Sequence, residues 1–312
     1  MDVLADVLNS MRLSGEIFCR SELTAPWGLR MPALDGAAFH VVDRGNAWLK
    51  VADDTDLIPL AGGDLIVFPQ SCSHAILDSP SSSLIGIEQL VELRGEDSYT
   101  LSYGGGGPPT TLICGVFKVQ DGGEHTLFSL LPPLIHIKGE QGRAVEWLET
   151  TLRFMSAEAG STSPGAKTIV GHLTEILFIQ AVRSWINSHP DSVKGWLTAL
   201  NDQQIGEALG HIHGKPDQPW TVESMGAEVG MSRSSFAAKF SELVGDPPLQ
   251  YLTRWRMQLA SSWLLDSDLN LSEIAERIGY QSEDPFKRAF KKHTGTPPGA
   301  YRRRGRVRAG VL

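Results

Sequence analysis

The C-terminal third of this 312-residue chain repeats itself, and the repeat limits what it can fold into. VESMGAEVG (222–230) lies over LSEIAERIG (271–279) at an offset of 49, and SRSSFAAKFSELVGDPPLQYL (232–252) over SEDPFKRAFKKHTGTPPGAYR (282–302) at 50. The extra residue falls in the turn after Gly230 and Gly279. Self-similarity at a fixed spacing means one small supersecondary unit made twice. In each copy a short helix turns small or apolar residues inward: Met225, Ala227 and Val229, then Ile274, Ala275 and Ile278. A glycine suits the left-handed position that ends it and starts a tight turn. Ser232 or Ser282 then stands where an N-cap is wanted. Phe236/Phe240 and Phe286/Phe290, spaced i,i+4, anchor the second helix. LQYLTRWRMQLASSWLL reads as a helix long enough to hold two such units apart. Two helices joined by a short glycine turn form a helix-turn-helix, whose second helix can lie in a DNA major groove. The alternative is a plain helical bundle with a duplicated hairpin.

Charge speaks to that choice. The net charge is −8, which at first argues against a polyanionic partner. Residues 215–312, however, carry 15 Lys/Arg against 11 Asp/Glu, a net of +4, and the rest of the chain carries −12. A local excess governs phosphate binding more than the total does.

Upstream the texture differs. Residues 1–13 place Val3, Leu4, Val7, Leu8 and Met11 at helical intervals. From about 17 to 137, the short apolar runs AAFHVVD, AWLKVAD, LIPLAGGDLIVFPQ, SHAILD, SLIGIEQLVEL and TLICGVFKV alternate with turn residues and read as strands, predicting a β-sandwich or barrel. DSYTLSYGGGGPPT predicts a loop. After about 140 the period turns helical: RAVEWLETTLRFMSAEA, then AKTIVGHLTEILFIQAVRSWINSH with a broad apolar face suited to core packing or a subunit contact. Three cysteines, Cys19, Cys72 and Cys114, make no disulfide framework and imply a reducing cytoplasm. The acidic, amphipathic N-terminus lacks signal-peptide character, and no window is apolar enough for a membrane span.

The pattern M-S-R-S-x-F…F…G…P-x-x-Y-L, then R-x-x-x-A…L-L, then I-A-x-x-x-G-Y…F…A-F…G-x-x-P-x-x-Y-R resembles the AraC/XylS regulators over roughly 203–303. The resemblance implies two helix-turn-helix units entering successive major grooves of double-stranded DNA. RNA polymerase is implied as a further partner. Removing the core residues leaves Arg233, Ser234, Ala237 and Ala238 as candidate DNA-reading positions in the first unit. The second offers Glu283, Asp284, Lys287 and Arg288. Arg288 stands where family members often carry a base-contacting Arg, a side chain shaped to read guanine bidentately. Ala238, in the equivalent slot, offers only a methyl. Asp284-Pro285 departs from the family pattern. Lys239, Lys291, Lys292 and Arg302–Arg304 are candidate phosphate contacts, which position rather than specify.

GGDLIVFPQSCSH is similar to the second cupin motif, G-x5-P-x-G-x2-H-x3-N: Gly63, Pro69 and His74 match, Ser71 replaces Gly and Asp78 replaces Asn. The first motif is missing and FHVVDRG offers only His40, which argues against a three-histidine-plus-glutamate oxygenase site. With APWGLR, FHVV-x-RG, LPPLIH and TVESM…YLTRWRM, nearly the whole chain resembles the cupin-bearing subgroup of these regulators. Cys19, His40, Cys72, His74, Cys114 and His125 are the candidate effector residues. Three readings stay open: a small zinc-like metal site, a thiol switch, or core residues beside an organic ligand in the barrel mouth.

The expected architecture is therefore an α+β multidomain chain. A cupin-like sensor barrel spans 1–140 and a helical connector with a possible dimer contact spans 141–202. An all-α double helix-turn-helix domain spans 203–304, followed by a basic tail at 305–312. The expected function is non-enzymatic, effector-dependent DNA-binding regulation; a cupin metalloenzyme fused to a DNA-binding domain and an effector-independent regulator are the alternatives.

Overall fold

The computed structural model describes residues 3–10, 13–51, 56–93, 100–119, 126–140, 145–159, 163–189, 196–200 and 202–308. The chain divides into two compact units, one of residues 13–190 and one of residues 1–12 with 191–312.

The first unit begins with β1 (Leu13–Thr24), β2 (Gly28–Met31), β3 (Ala37–Arg44), β4 (Asn46–Val51), β5 (Leu57–Ala61), β6 (Leu65–Phe68), β7 (His74–Leu77) and β8 (Ile85–Gly86). The N-terminal helix α1 (Val3–Ser10) precedes them but belongs to the other unit. Then come α2 (Ile87–Leu93), β9 (Thr100–Gly104), β10 (Pro109–Val119), α3 (Thr126–Leu130), β11 (Ile135–Ile137), α4 (Glu146–Ala159) and α5 (Ala166–Ser188). One sheet runs β11-β6-β3-β10-β1-β9 and the other β5-β4-β7-β2-β8. The cupin expectation holds as a β-rich domain, but its strands form two facing sheets and not a closed barrel. Leu29, Leu49, Ile66, Phe68, Ile76 and Leu112 fill the space between them. The other face of the six-stranded sheet is also covered: Phe117 packs on Phe39 at 4.6 Å between ring centres and on Phe178 of α5 at 5.0 Å. Strands buried on both faces read as continuous apolar runs, as AAFHVV does.

Three expectations shift here. SLIGIEQLVEL, expected as a strand, keeps only the two-residue β8 and then turns helical as α2, which sets Ile87 and Leu90 at i,i+3 against the core. Within this unit α5 packs on the sheet and α4 packs on α5, so the units divide the chain differently from a separate 141–202 connector. The broad apolar face of α5 buries Leu177, Phe178, Ala181 and Val182. The expected loop at 97–110 is in part an edge strand, since β9 pairs in parallel with β1 from Thr100 to Gly104. An edge tolerates the glycines and prolines that follow, because one side of the strand needs no ladder partner. At the degenerate cupin motif, Ser71 adopts φ 43°, the left-handed conformation that the motif's glycine would take. Its hydroxyl accepts the Leu34 N–H at 2.8 Å. Asp78, in the asparagine position, accepts the Trp27 N–H at 2.7 Å.

The second unit joins α1 to α6 (Trp196–Ala199), α7 (Gln203–Gly214), α8 (Val222–Glu228), α9 (Arg233–Val244), α10 (Pro248–Asp266), α11 (Leu271–Arg277), α12 (Glu283–Thr294) and α13 (Pro298–Arg308). The repeat is visible in its packing. Phe236 and Phe240 meet at 5.4 Å and Phe286 and Phe290 at 5.7 Å. Tyr251 and Tyr301 stand edge-on to the second phenylalanine of each pair at 5.7 and 5.3 Å. All four phenylalanines are fully buried, and burying one such ring is worth about 1.5–3 kcal/mol.

Candidate nucleic-acid interface and buried polar cluster

The segment between α8 and α9 spans 229–232, and the one between α11 and α12 is a residue longer, 278–282. Both turns pivot on the predicted glycines, Gly230 at φ 68° and Gly279 at φ 77°. Each is closed by the same hydrogen bond, Met231 N–H to Gly226 carbonyl and Tyr280 N–H to Ala275 carbonyl, both 2.8 Å. Ser232 caps α9 by accepting the Ser235 N–H at 3.2 Å. Ser282 opens α12 without a side-chain cap bond, a departure from the symmetric caps the sequence suggests. Gly245 and Gly295 end α9 and α12 in the left-handed conformation.

The outer faces of α9 and α12 follow from the inward phenylalanines. Arg233, Ser234 and Ala238 are exposed and Ala237 is half-buried. On α12, Asp284 and Arg288 are exposed, with Glu283 and Lys287 half-exposed beside them. Lys287 is ion-paired to Glu283 one turn back, and that hydrogen bond raises the lysine pKa. A preceding carboxylate therefore competes with any phosphate or base for Lys287. Arg288, Arg233, Lys291 and Lys292 carry no ion pair among the described residues. The helix α10 between the units is 19 residues long, about 28 Å at 1.5 Å per residue, comparable to the roughly 34 Å between major grooves on one face of B-DNA.

Two candidate phosphate contacts are otherwise engaged. Lys239 is bound to Asp202 at 2.8 Å and to the Gln204 amide oxygen at 3.2 Å. Arg302 donates from Nε to the Leu264 carbonyl at 3.1 Å and from its terminal nitrogen to the Leu269 carbonyl, closing the C-terminal end of α10. Their partners are distant in sequence, so spacing gave no sign of them. Arg303 and Arg304 remain exposed.

In the β-rich unit four of the candidate effector residues converge. Cys19 and Cys114 face each other across β1 and β10, and His40 faces Cys114 across β3 and β10. His40 Nδ1 lies 3.1 Å from Cys114 Sγ, and His40 Nε2 lies 2.7 Å from His74 Nε2 on the opposite sheet. His74 Nδ1 is 2.9 Å from the Cys72 carbonyl. Burial holds both imidazoles below their ordinary range, His40 well below with His74 adding repulsion, so both are neutral near pH 7. The protons then follow from the partners. A carbonyl only accepts, so His74 Nδ1 carries a hydrogen and its Nε2 is bare. His40 Nε2–H donates to it, and the bare His40 Nδ1 accepts the Cys114 S–H. The neighbouring hydrogen-bonded Cys19, with burial behind it, pushes the Cys114 thiol well above its usual range. Burial also raises Cys72, whose side chain is half-buried against the same core.

This order bears on the metal reading. His40 uses its two nitrogens in opposite directions, so the donors line up and do not surround a point. Among the described residues no group of three or more His, Cys, Asp or Glu side chains is placed to hold a metal ion. His125 lies outside the described residues. Sequence reading missed a further histidine of this unit, His136, which pairs with Asp64 at 3.0 Å. Burial would raise the Asp64 carboxyl, but His136 and the Gly139 and Ala61 N–H groups hold it down.

A cupin model matches residues 2–187 and a helix-turn-helix domain model residues 225–304. The HTH-type transcriptional regulator AlkR of Acinetobacter baylyi is 33% identical over 97% of this chain and 99% of its own. A putative AraC-like transcription regulator of Streptomyces lividans is 32% identical over 97% and 98%. Among solved structures, the DNA-binding domain of AdpA in complex with a target DNA is 33% identical over 33% of this chain and 93% of that one, with a TM-score of 0.32. Among the described residues no helix is long and apolar enough to cross a membrane.

Proposed function

Because the chain belongs to the AraC-type transcription regulators that carry an N-terminal cupin domain, we propose that it reads an operator in double-stranded DNA through α9 and α12 together. A signal received by the cupin unit then alters that binding. The observation that carries the reading is the pair of equivalently placed outer faces, Arg233 to Ala238 and Glu283 to Arg288, on two helices turned and anchored alike. Arg288 and Arg233 read bases, while Lys291, Lys292, Arg303 and Arg304 hold phosphates. Lys239 and Arg302 serve the scaffold. RNA polymerase is the proposed second partner and the cytoplasm the proposed compartment, in keeping with three cysteines that form no disulfide. Catalysis has no part in this reading.

The signal is proposed to act on the Cys114–His40–His74 line, a polar link between the sheets in an otherwise apolar core. Any change of proton count or direction there leaves a buried polar group unmatched, which costs about 1–3 kcal/mol. Ile169 and Ile176, exposed on α5, support a homodimer contact on that helix. Ile169 and Ile176 are two turns apart and share a side.

The test is operator binding by the full chain over a salt series. Specific binding that falls steeply with salt, beside a separate and weaker affinity for random duplex, supports the reading. Equal affinity for both duplexes contradicts it. The same assay on Cys114→Ser and Cys114→Ala tests the link: Ala leaves His40 Nδ1 without a donor and shifts operator affinity, whereas Ser keeps a donor there and does not; affinity unmoved in both contradicts the link.

A further inference from the structure

A cavity of about 970 Å³ opens in the helical unit, walled by α1, α7, α10, α11 and the loop before α8. It lies away from the outer faces of α9 and α12, whose residues do not line it. Its volume falls in the range of small-molecule sites.

Its wall has a definite chemistry. Trp255 and Trp263 supply aromatic surface. Asp6, Asp217 and Glu276 bring carboxylates to the rim, and Glu273 lies beside them with its carboxylate engaged by the Asn270 N–H. One cationic side chain, Arg277, faces this group, and its guanidinium sits 6.0 Å from the centre of the Trp263 ring. That contact shows the aromatic wall already accepting a cation. Deeper in, the His213 ring stacks on Trp255 at 3.9 Å. His213 bonds Tyr251 through Nε2 at 2.8 Å. Its Nδ1, 3.7 Å from Asp6, and the Trp255 indole N–H are both buried and without a hydrogen-bond partner among the described residues. Both rings are at least nine-tenths buried. Buried polar atoms are nearly always satisfied, so two unmatched ones on one cavity wall mark a place where a ligand supplies the partner.

We infer that this cavity is a binding site for a small organic cation that carries an oxygen acceptor, such as an aromatic or alkyl ammonium bearing a hydroxyl. The ammonium is held between the tryptophan faces and the Asp6, Asp217 and Glu276 carboxylates. The oxygen accepts from the Trp255 indole, and its hydroxyl proton meets His213 Nδ1. Such a ligand ties α1 to α10 and α11, the scaffold of the second reading unit.

The test is calorimetric titration of the full chain with benzyl(2-hydroxyethyl)dimethylammonium chloride, beside benzyltrimethylammonium chloride and sodium benzoate. The expected result is saturable one-to-one binding of the hydroxyl compound, weaker binding of the trimethyl compound, and none of benzoate. Asp217 and Glu276 are exposed, so Asp217→Asn with Glu276→Gln leaves the fold intact and weakens binding roughly tenfold. A circular dichroism melt of the double variant confirms that it is folded. No saturable binding of the ammonium, equal binding of benzoate, or binding unmoved in the folded double variant overturns the inference. Operator binding measured on the same samples keeps this outcome distinct from that of the DNA-reading proposal.

Discussion

The two helix-turn-helix units are one scaffold with two surfaces. The inward residues agree: a Phe pair at nearly equal separation, an edge-on tyrosine, a left-handed glycine at each turn and at each helix end. The outward residues do not. The first unit presents Arg233, Ser234, Ala237 and Ala238, with a single charge; the second presents Glu283, Asp284, Lys287 and Arg288, all charged. Packing fixes how a recognition helix is held, and four or five outer positions are left to decide what it reads. Supporting contacts diverge as well. Arg254 is ion-paired to Asp246 in the first unit, whereas its equivalent in the second, Arg304, reaches only the Thr296 hydroxyl at 3.4 Å.

The comparison can be broken first at its shared core. Phe236→Ala and Phe286→Ala are each expected to cost about 3–5 kcal/mol, by lost burial and the cavity left behind. Chemical denaturation of the two variants measures this, and a large difference between them denies that the scaffolds are equivalent. The outer faces come next. Arg288→Ala is expected to lose about 1–3 kcal/mol of operator affinity and little on random duplex, whereas Ala238→Gly, in the equivalent slot, loses much less. Parallel losses on both duplexes make Arg288 a phosphate contact.

The turns separate the units more finely. A side chain at Gly230 meets open space, while at Gly279 it runs into the Asp217 carbonyl at 2.5 Å and the Arg256 guanidinium at 2.6 Å. Gly230→Ala therefore costs about 1–2 kcal/mol for its backbone conformation alone, and Gly279→Ala costs more because the 216–218 loop must move. Thermal melts order the two. The smallest difference is at the caps: Ser232→Ala is expected to cost about 1 kcal/mol and Ser282→Ala close to nothing, since Ser282 makes no cap bond. Equal losses contradict that assignment.

Much of this was legible in the sequence because it is local. A repeat offset, paired phenylalanines at i,i+4 and glycines after short helices specify a hairpin of helices without knowledge of the rest of the chain. The β-rich unit was legible as alternating short strands, and Ser71 at φ 43° shows that a degenerate motif still marked its turn. What escaped depends on pairings distant in sequence. Lys239 and Arg302 look like free cations until Asp202 and the Leu264 carbonyl are brought to them. The amphipathic α1 shows an apolar face but not its destination, and it docks with α7 and α10. The sequence named His40, His74 and Cys114 as candidates but could not tell a line from a cage. That rests on which nitrogen of His40 meets which neighbour.

The central claim, two reading heads on one scaffold, is tested most directly by hydroxyl-radical footprinting of the wild-type chain and of Arg288→Ala on a selected operator. The account predicts wild-type protection at two positions about one helical turn apart on one face of the duplex, with Arg288→Ala weakening the one read by α12 and sparing the other. A wild-type footprint confined to a single groove, or a variant that fades evenly at both positions, would contradict it.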